Sequence, residues 1–194
     1  MSNGAEPFAA VVLSGGAGTR VGGRDKGLIA WRGTPLVELA VRRLAESGAS
    51  EILISANRHL DVYLQHGHAV VTDEEPSAFR GPLAGIARAL TLSRHDRLLT
   101  VPVDVPTWPI ELPRRLSRAL AASDRACAVA RVAARREPLF ALYRTREAAV
   151  AARYAVAHGE LAVHGFQDRL GCVEVDVEAD PGAFANLNSA ETLA

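Results

Sequence analysis

The chain is poor in the features that mark several whole classes of protein. It carries two cysteines in 194 residues, too few for a disulfide framework. Cys127 and Cys172 also have no second pair beside them that would point to zinc, so both are expected to be small buried hydrophobes. Lys plus Arg and Asp plus Glu number 22 each. With no net field, neither nucleic acid nor an anionic membrane is indicated as a partner, and any anion site must be local. No apolar run is long enough to span a bilayer, and Met1 to Pro7 has neither a basic region nor an apolar core. A cytoplasmic protein is expected. Long repeats, low-complexity tracts and linkers are missing too. At 48% hydrophobic residues, residues 1–194 suit a single domain with a full core.

What is present is concentrated between Val11 and Leu28. The apolar run Phe8 to Leu13 reads as a buried strand and empties into a stretch holding Gly15, Gly16, Gly18, Gly22, Gly23 and Gly27. Backbone without Cβ atoms lets several N–H groups turn toward one anion, and Arg20 and Lys26 add positive charge. Two familiar phosphate loops do not fit. Lys26 lies between Asp25 and Gly27, so the hydroxyl that a P-loop places after its lysine is missing, and Gly16 to Val21 lacks the third glycine of a dinucleotide fingerprint. The bland alternative is a glycine-rich surface loop with two solvated cations.

Leu36, Leu39, Ala40 and Leu44 give one helical face after Thr34-Pro35, ending near Ser47-Gly48. Glu51 to Ala56 reads as a second strand with Asn57 past its end, and strand–helix–strand implies parallel pairing with ligands beyond the carboxyl ends. A weaker strand, His68 to Thr72, ends in Asp73-Glu74-Glu75, a solvated acidic turn or a ligand-facing carboxylate. Gly81-Pro82-Leu83-Ala84-Gly85 opens a helix to about Leu92. The apolar strand from Arg97 delivers Asp104 between two prolines, placed either to hold Mg²⁺ or to cap a turn. Glu111 to Ala122 is helical, and two β segments, Ala126 to Val132 and Pro138 to Tyr143, are joined by polar residues 133–137. In that linker Arg135 and Arg136 either reach an anion or guard an edge strand. Arg146 to His158 is a helix stopped by Gly159, and Gly171 to Val177 is a late strand. The alternation predicts a three-layer α/β/α domain with a mostly parallel, Rossmann-like sheet and a short antiparallel insertion.

Gly15-Gly16-x-Gly18-Thr19-Arg20-x-Gly22 followed by Lys26 resembles the signature loop of nucleotidyltransferases with the nucleotide-diphospho-sugar transferase fold. Gly22-Gly23-Arg24-Asp25-Lys26-Gly27-Leu28 is similar to the molybdenum cofactor guanylyltransferases in particular, and the resemblance runs from Val11 to Leu193. It implies transfer of GMP from GTP to the terminal phosphate of molybdopterin or the molybdenum cofactor, with release of pyrophosphate and Mg²⁺ held by Asp104. The same resemblance assigns nucleotide contacts to Leu13, Ser14, Gly15, Gly16, Gly18, Thr19, Lys26, Asn57, Asp73, Gly81, Gly85 and Asp104. Arg20, Lys26 and Asp104 take catalytic roles, and Asn186 and Asn188 face the acceptor. A monomer is expected, with molybdoenzymes or their chaperones as candidate protein partners.

Two departures stand out. The family's basic residues after the Gly159 stop are missing from Gly159-Glu160-Leu161-Ala162-Val163-His164, leaving Arg153, His164 and Arg169 as substitutes, and Ser55 stands where some members have Asn. Other readings stay open: a CTP-dependent transferase, a different phosphorylated acceptor, or a nucleotide-binding module without catalysis.

Overall fold

The computed structural model describes residues 6–15, 25–74, 81–178 and 181–187. Strand β1 (Ala9–Leu13) is buried over all five residues. Ala10 and Val12 pack into one core cluster, and Ala9, Val11 and Leu13 into another. A strand covered on both faces has no place for alternation, so it reads as a continuous apolar run. A 3₁₀ turn (Lys26–Leu28) and the two-residue strands β2 (Ala30–Trp31) and β3 (Thr34–Pro35) then lead into helix α1 (Leu36–Glu46). α1 buries Leu36, Val37, Ala40 and Leu44, a single stripe, and stops before Gly48, which sits at φ +89°.

The chain continues through β4 (Glu51–Ser55), α2 (Leu60–Leu64), β5 (Ala69–Val71), α3 (Pro82–Leu92) and β6 (Arg97–Pro102). After them come α4 (Leu112–Ala121), β7 (Cys127–Val132), β8 (Arg135–Arg144), α5 (Thr145–Ala157), α6 (Val163–Leu170), β9 (Cys172–Asp176) and a 3₁₀ turn (Pro181–Phe184). Seven strands form one sheet in the order β5-β4-β1-β6-β8-β7-β9, in which β8 alone runs against its neighbours. α1, α4 and Tyr63 of α2 cover one face, while α3, α5 and α6 cover the other. The three-layer architecture and its antiparallel insertion are as expected. From β1 the strand order runs outward one way to β4 and β5, then resumes on its other side with β6. That reversal opens a crevice at the carboxyl ends, where ligands bind in open α/β sheets.

Several elements differ from the sequence reading. α2, α6 and the β2–β3 pair were not expected, and each is short. β8 begins at Arg135 rather than Pro138, so the connection to β7 shrinks to Ala133-Ala134, with φ of 47° and 63°. Two left-handed residues suit a tight hairpin, but that turn usually shows itself as Asn-Gly or Asp-Gly. Cys127 and Cys172 are not separate thiols. They face each other in the β7–β9 register and form a disulfide with Cα atoms 4.4 Å apart. The crossover through α5 and α6 closes a separation of 45 residues, which linear spacing does not reveal.

The segment beyond β6 is held from three sides. Arg43 of α1 donates from Nε (2.9 Å) and Nη2 (2.6 Å) to the carbonyl of buried Trp108. Trp108 packs on Phe140 of β8, ring centroids 6.4 Å apart, and Thr107 Oγ1 donates to the Ala183 carbonyl at 3.2 Å. The Leu187 N–H donates to the Asp104 carbonyl at 2.9 Å, which brings the end of the described chain against the carboxyl end of β6.

Candidate active site

Strand register decides which residues meet. Leu13 stands opposite both Ser55 and Pro102, and Ser55 opposite Val71. Ser14, Gly15, Asn57, Asp73 and Asp104 each lie within two residues of one of these strand ends, so they enter a single crevice. Ser14 N–H donates to the Ser55 carbonyl at 2.9 Å and Val103 N–H to the Leu13 carbonyl at 3.2 Å, extending the ladder just beyond the strands. A Cβ placed on Gly15 would lie 3.9 Å from Asn57 Nδ2. Gly15 therefore leaves β1 directly beside Asn57.

On the β6 side, Lys26 Nζ donates to Asp104 Oδ2 at 2.6 Å, with the two side chains 24% and 16% exposed. Lys26 is the only lysine in the chain, against 21 arginines. That imbalance is a signal in its own right, because a compact ammonium on a flexible stem does what a planar guanidinium fork does not. Asp25 caps the turn that carries Lys26, its Oδ1 accepting from Gly27 N–H at 3.2 Å. Among the described residues no group of three or more His, Cys, Asp and Glu is placed to hold a metal. A lone carboxylate still suits Mg²⁺, which takes most of its shell from water and phosphate oxygens.

On the β5 side, Asn57 and Asp73 grip each other. Asn57 Nδ2 donates to Asp73 Oδ2 at 2.8 Å, and Asp73 N–H returns a bond to Asn57 Oδ1 at 2.9 Å. Burial pushes the Asp73 carboxyl above its ordinary value, against the opposing pull of the Asn57 hydrogen bond and Arg88. Arg88 donates from Nε to the Thr72 carbonyl at 3.2 Å and lies 3.7 Å from Glu74. Gly81 opens α3 at φ +73° and ψ −175°, a conformation that needs glycine, and Pro82 begins the helix. Gly85 lies against β4: a Cβ there would fall 2.3 Å from Ser55 Oγ.

Asn186 is exposed one residue before Leu187, so the Leu187–Asp104 bond carries it to the β6 side of the crevice. Gly16, Gly18, Thr19, Arg20 and Asn188 lie outside the described residues. Three of the cations considered for the acceptor are paired with carboxylates. Arg136 binds Glu174 and Asp168, Arg135 binds Glu137, and Arg169 pairs with Glu160. Arg153 lines a cavity of about 430 Å³ between α3 and α5, together with Asp73, Arg88 and Thr91. His164 is exposed on α6. Tyr63 and Asp25 also meet here, a contact across 38 residues that no local signal in the sequence announces.

The crevice thus combines a glycine-bounded strand end, a lysine on a carboxylate, and an amide–carboxylate pair, which is equipment for a nucleotide's phosphates at one end and its base or sugar at the other. Residues 10–170 match the model of the MobA-like NTP transferase domain. The molybdenum cofactor guanylyltransferase of Mannheimia succiniciproducens is 38% identical over 186 residues, covering 96% of each chain. That of Pasteurella multocida is 37% identical over 182 residues, covering 94% of this chain and 95% of the relative. Among solved structures, molybdopterin-guanine dinucleotide biosynthesis protein A from Archaeoglobus fulgidus superposes with a TM-score of 0.77 at 20% identity, covering 96% of this chain and 94% of that one. The 4-diphosphocytidyl-2C-methyl-D-erythritol synthase of Anaerococcus prevotii, at 11% identity and a TM-score of 0.70 over 98% and 96%, shares the fold. The chain belongs to the MobA-like NTP transferases, in the family of molybdenum cofactor guanylyltransferases.

Proposed function

We propose that this chain transfers GMP from GTP to the terminal phosphate of molybdopterin or its molybdenum-bearing form, releasing pyrophosphate in a Mg²⁺-dependent reaction. The observation that carries this reading is the Lys26–Asp104 contact at the carboxyl ends of β1 and β6, within a chain whose relatives bear that activity in their names. An acceptor phosphate oxygen forms a bond to the α-phosphorus while the bridge from the α- to the β-phosphorus breaks in line. The acceptor is already ionised, so the protein's work is positioning and neutralising charge rather than abstracting a proton.

Lys26, with Arg20 and the N–H groups of the glycine loop, is assigned to the triphosphate and the departing pyrophosphate. Asp104 would hold Mg²⁺, which supplies charge neutralisation between phosphate oxygens when bound. Asn57 and Asp73 are assigned to the nucleoside end, the backbone of Gly81 and Gly85 to packing against it, and Asn186 with Asn188 to the acceptor.

The test is pyrophosphate release with each of the four NTPs and Mg²⁺, with and without molybdopterin. GTP-specific release that needs molybdopterin is expected. Release with CTP alone would keep the site and overturn the base assignment. No release from folded, GTP-binding protein would leave a nucleotide-binding module.

A further inference from the structure

Helix α2 contributes one fully buried polar side chain, Tyr63, which is 0% exposed and packed in the α1–α4 core. Its hydroxyl donates to Asp25 Oδ1 at 2.5 Å, across 38 residues of sequence. The same oxygen accepts the Gly27 N–H. Asp25 and Gly27 are the two neighbours of Lys26, and the Leu28 and Ile29 N–H groups close the turn onto the Asp25 and Lys26 carbonyls at 3.2 Å each. Space at the turn is just as constrained. A Cβ on Gly27 would meet Tyr63 Oη at 2.3 Å and Ser14 Oγ at 2.9 Å, so the lysine turn is pressed onto the phenol with no room for a side chain. Burial and the Asp25 carboxylate both hold the Tyr63 phenol above its ordinary pKa, which keeps it a donor.

We infer that Tyr63 is a positioning residue for the transfer reaction: through Asp25 it fixes the turn that aims Lys26 at Asp104 and the phosphates. The inference rests on the proposed function for the role of Lys26, while the clamp itself is a matter of geometry. A buried phenol usually finds a hydrogen-bond partner for its hydroxyl. Here it does so on the residue preceding the chain's one lysine, and it couples the β4–β5 crossover to the β1–β6 side of the crevice.

The test uses Tyr63→Phe, which keeps the ring in the core, and Asp25→Ala, Asp25→Asn and the Tyr63→Phe/Asp25→Ala double variant. With Mg²⁺-GTP and molybdopterin, Tyr63→Phe and Asp25→Ala are each expected to lower kcat about tenfold while KM for GTP moves less than about threefold. Asp25→Asn, which keeps the acceptor oxygen, should stay near wild type. The double variant should be no worse than Asp25→Ala alone, because both substitutions break one contact.

A second readout does not need turnover. Lys26 is the only side-chain amine, so its acetylation by an N-hydroxysuccinimide ester can be followed by peptide mass spectrometry. It should be several-fold faster in Tyr63→Phe and Asp25→Ala than in wild type, as the lysine leaves Asp104. Unchanged acetylation, or kcat losses that multiply in the double variant, would overturn the clamp. If wild type releases no pyrophosphate from any NTP but the acetylation difference holds, the functional reading fails and the clamp stands.

Discussion

The Lys26 ammonium and the Asp104 carboxylate sit 2.6 Å apart although 78 residues separate them. The lysine therefore stands at the carboxylate assigned to Mg²⁺, and removing it removes a competing cation. Lys26→Ala is expected to bind Mg²⁺ more tightly than wild type without nucleotide, measured by isothermal titration calorimetry, while turnover falls by orders of magnitude. Lys26→Arg should not rescue it, retaining less than about a tenth of wild-type kcat, because the planar fork cannot replace a mobile point charge. Asp104→Asn should lose the magnesium-dependent activity. A magnesium titration of activity identical to wild type would remove Asp104 from the metal site.

Asp73 carries a pH signature. Its folded-state value is raised, chiefly by burial. The folded protein therefore takes up this proton more readily than the unfolded chain. The contribution to stability is present in full below the unfolded carboxylate value and is lost as pH rises through the raised one. Urea unfolding of wild type and Asp73→Asn from about pH 4 to about pH 7 should show wild type losing ground to the variant as pH increases. Asn57→Leu removes the bond to the ionised form, so the same loss should extend to higher pH. A wild-type-minus-variant difference that is flat with pH would contradict the burial effect.

Gly85 and Ser55 test how closely α3 must approach β4. A methyl on Gly85 would fall 2.3 Å from Ser55 Oγ and 3.3 Å from Ser55 Cβ. Overpacking of this kind costs about 1–3 kcal/mol. Gly85→Ala should therefore lower the melting temperature by several degrees and weaken GTP binding, since α3 begins at the crevice. Adding Ser55→Ala removes the nearer clash but not the Cβ contact, so it should recover only part of both. Full additivity of the two losses would mean that the residues do not press on each other in solution.

The core of this fold was legible because its signals are local. Phe8 to Leu13, Glu51 to Ala56 and Arg97 to Pro102 are apolar runs of strand length, and the Leu112–Leu116–Leu120 stripe has helical spacing. The carboxyl-end rule placed Asn57 at the crevice, Asp104 followed from the end of its own apolar strand, and Asp73 needed the family resemblance, because an acidic turn reads the same whether or not it faces a ligand. What escaped depends on distant partners. α2 has five residues, too few to show a period, yet it delivers Tyr63 to Asp25. The Cys127–Cys172 bond exists only through the β7–β9 register. Ala133-Ala134 turns the chain without the glycine or asparagine that would announce it. The arginines read as acceptor candidates were indistinguishable in sequence from arginines with partners, since Glu174 and Asp168 come from a different strand and a helix.

Arg136 is the clearest case, and whether it also reaches the acceptor can be tested. Its guanidinium donates to Asp168 Oδ1 at 2.6 Å and to Glu174 Oε1 at 3.0 and 2.6 Å, joining β8, α6 and β9. The Arg136 hydrogen bond holds the Asp168 carboxyl below its ordinary value. Stability from this contact is therefore present above the ordinary carboxylate value and lost as pH falls through the depressed one. The pair is exposed, so the effect is small in saline buffer. Arg136→Ala should lower the melting temperature slightly at neutral pH, converge with wild type in acid, and leave KM for both GTP and molybdopterin unchanged. A rise of about tenfold in the molybdopterin KM alone would mean that the acceptor draws Arg136 away from its two carboxylates. Acceptor recognition would then depend on breaking this network, and Glu174→Gln, which weakens the competing contact, should lower that KM.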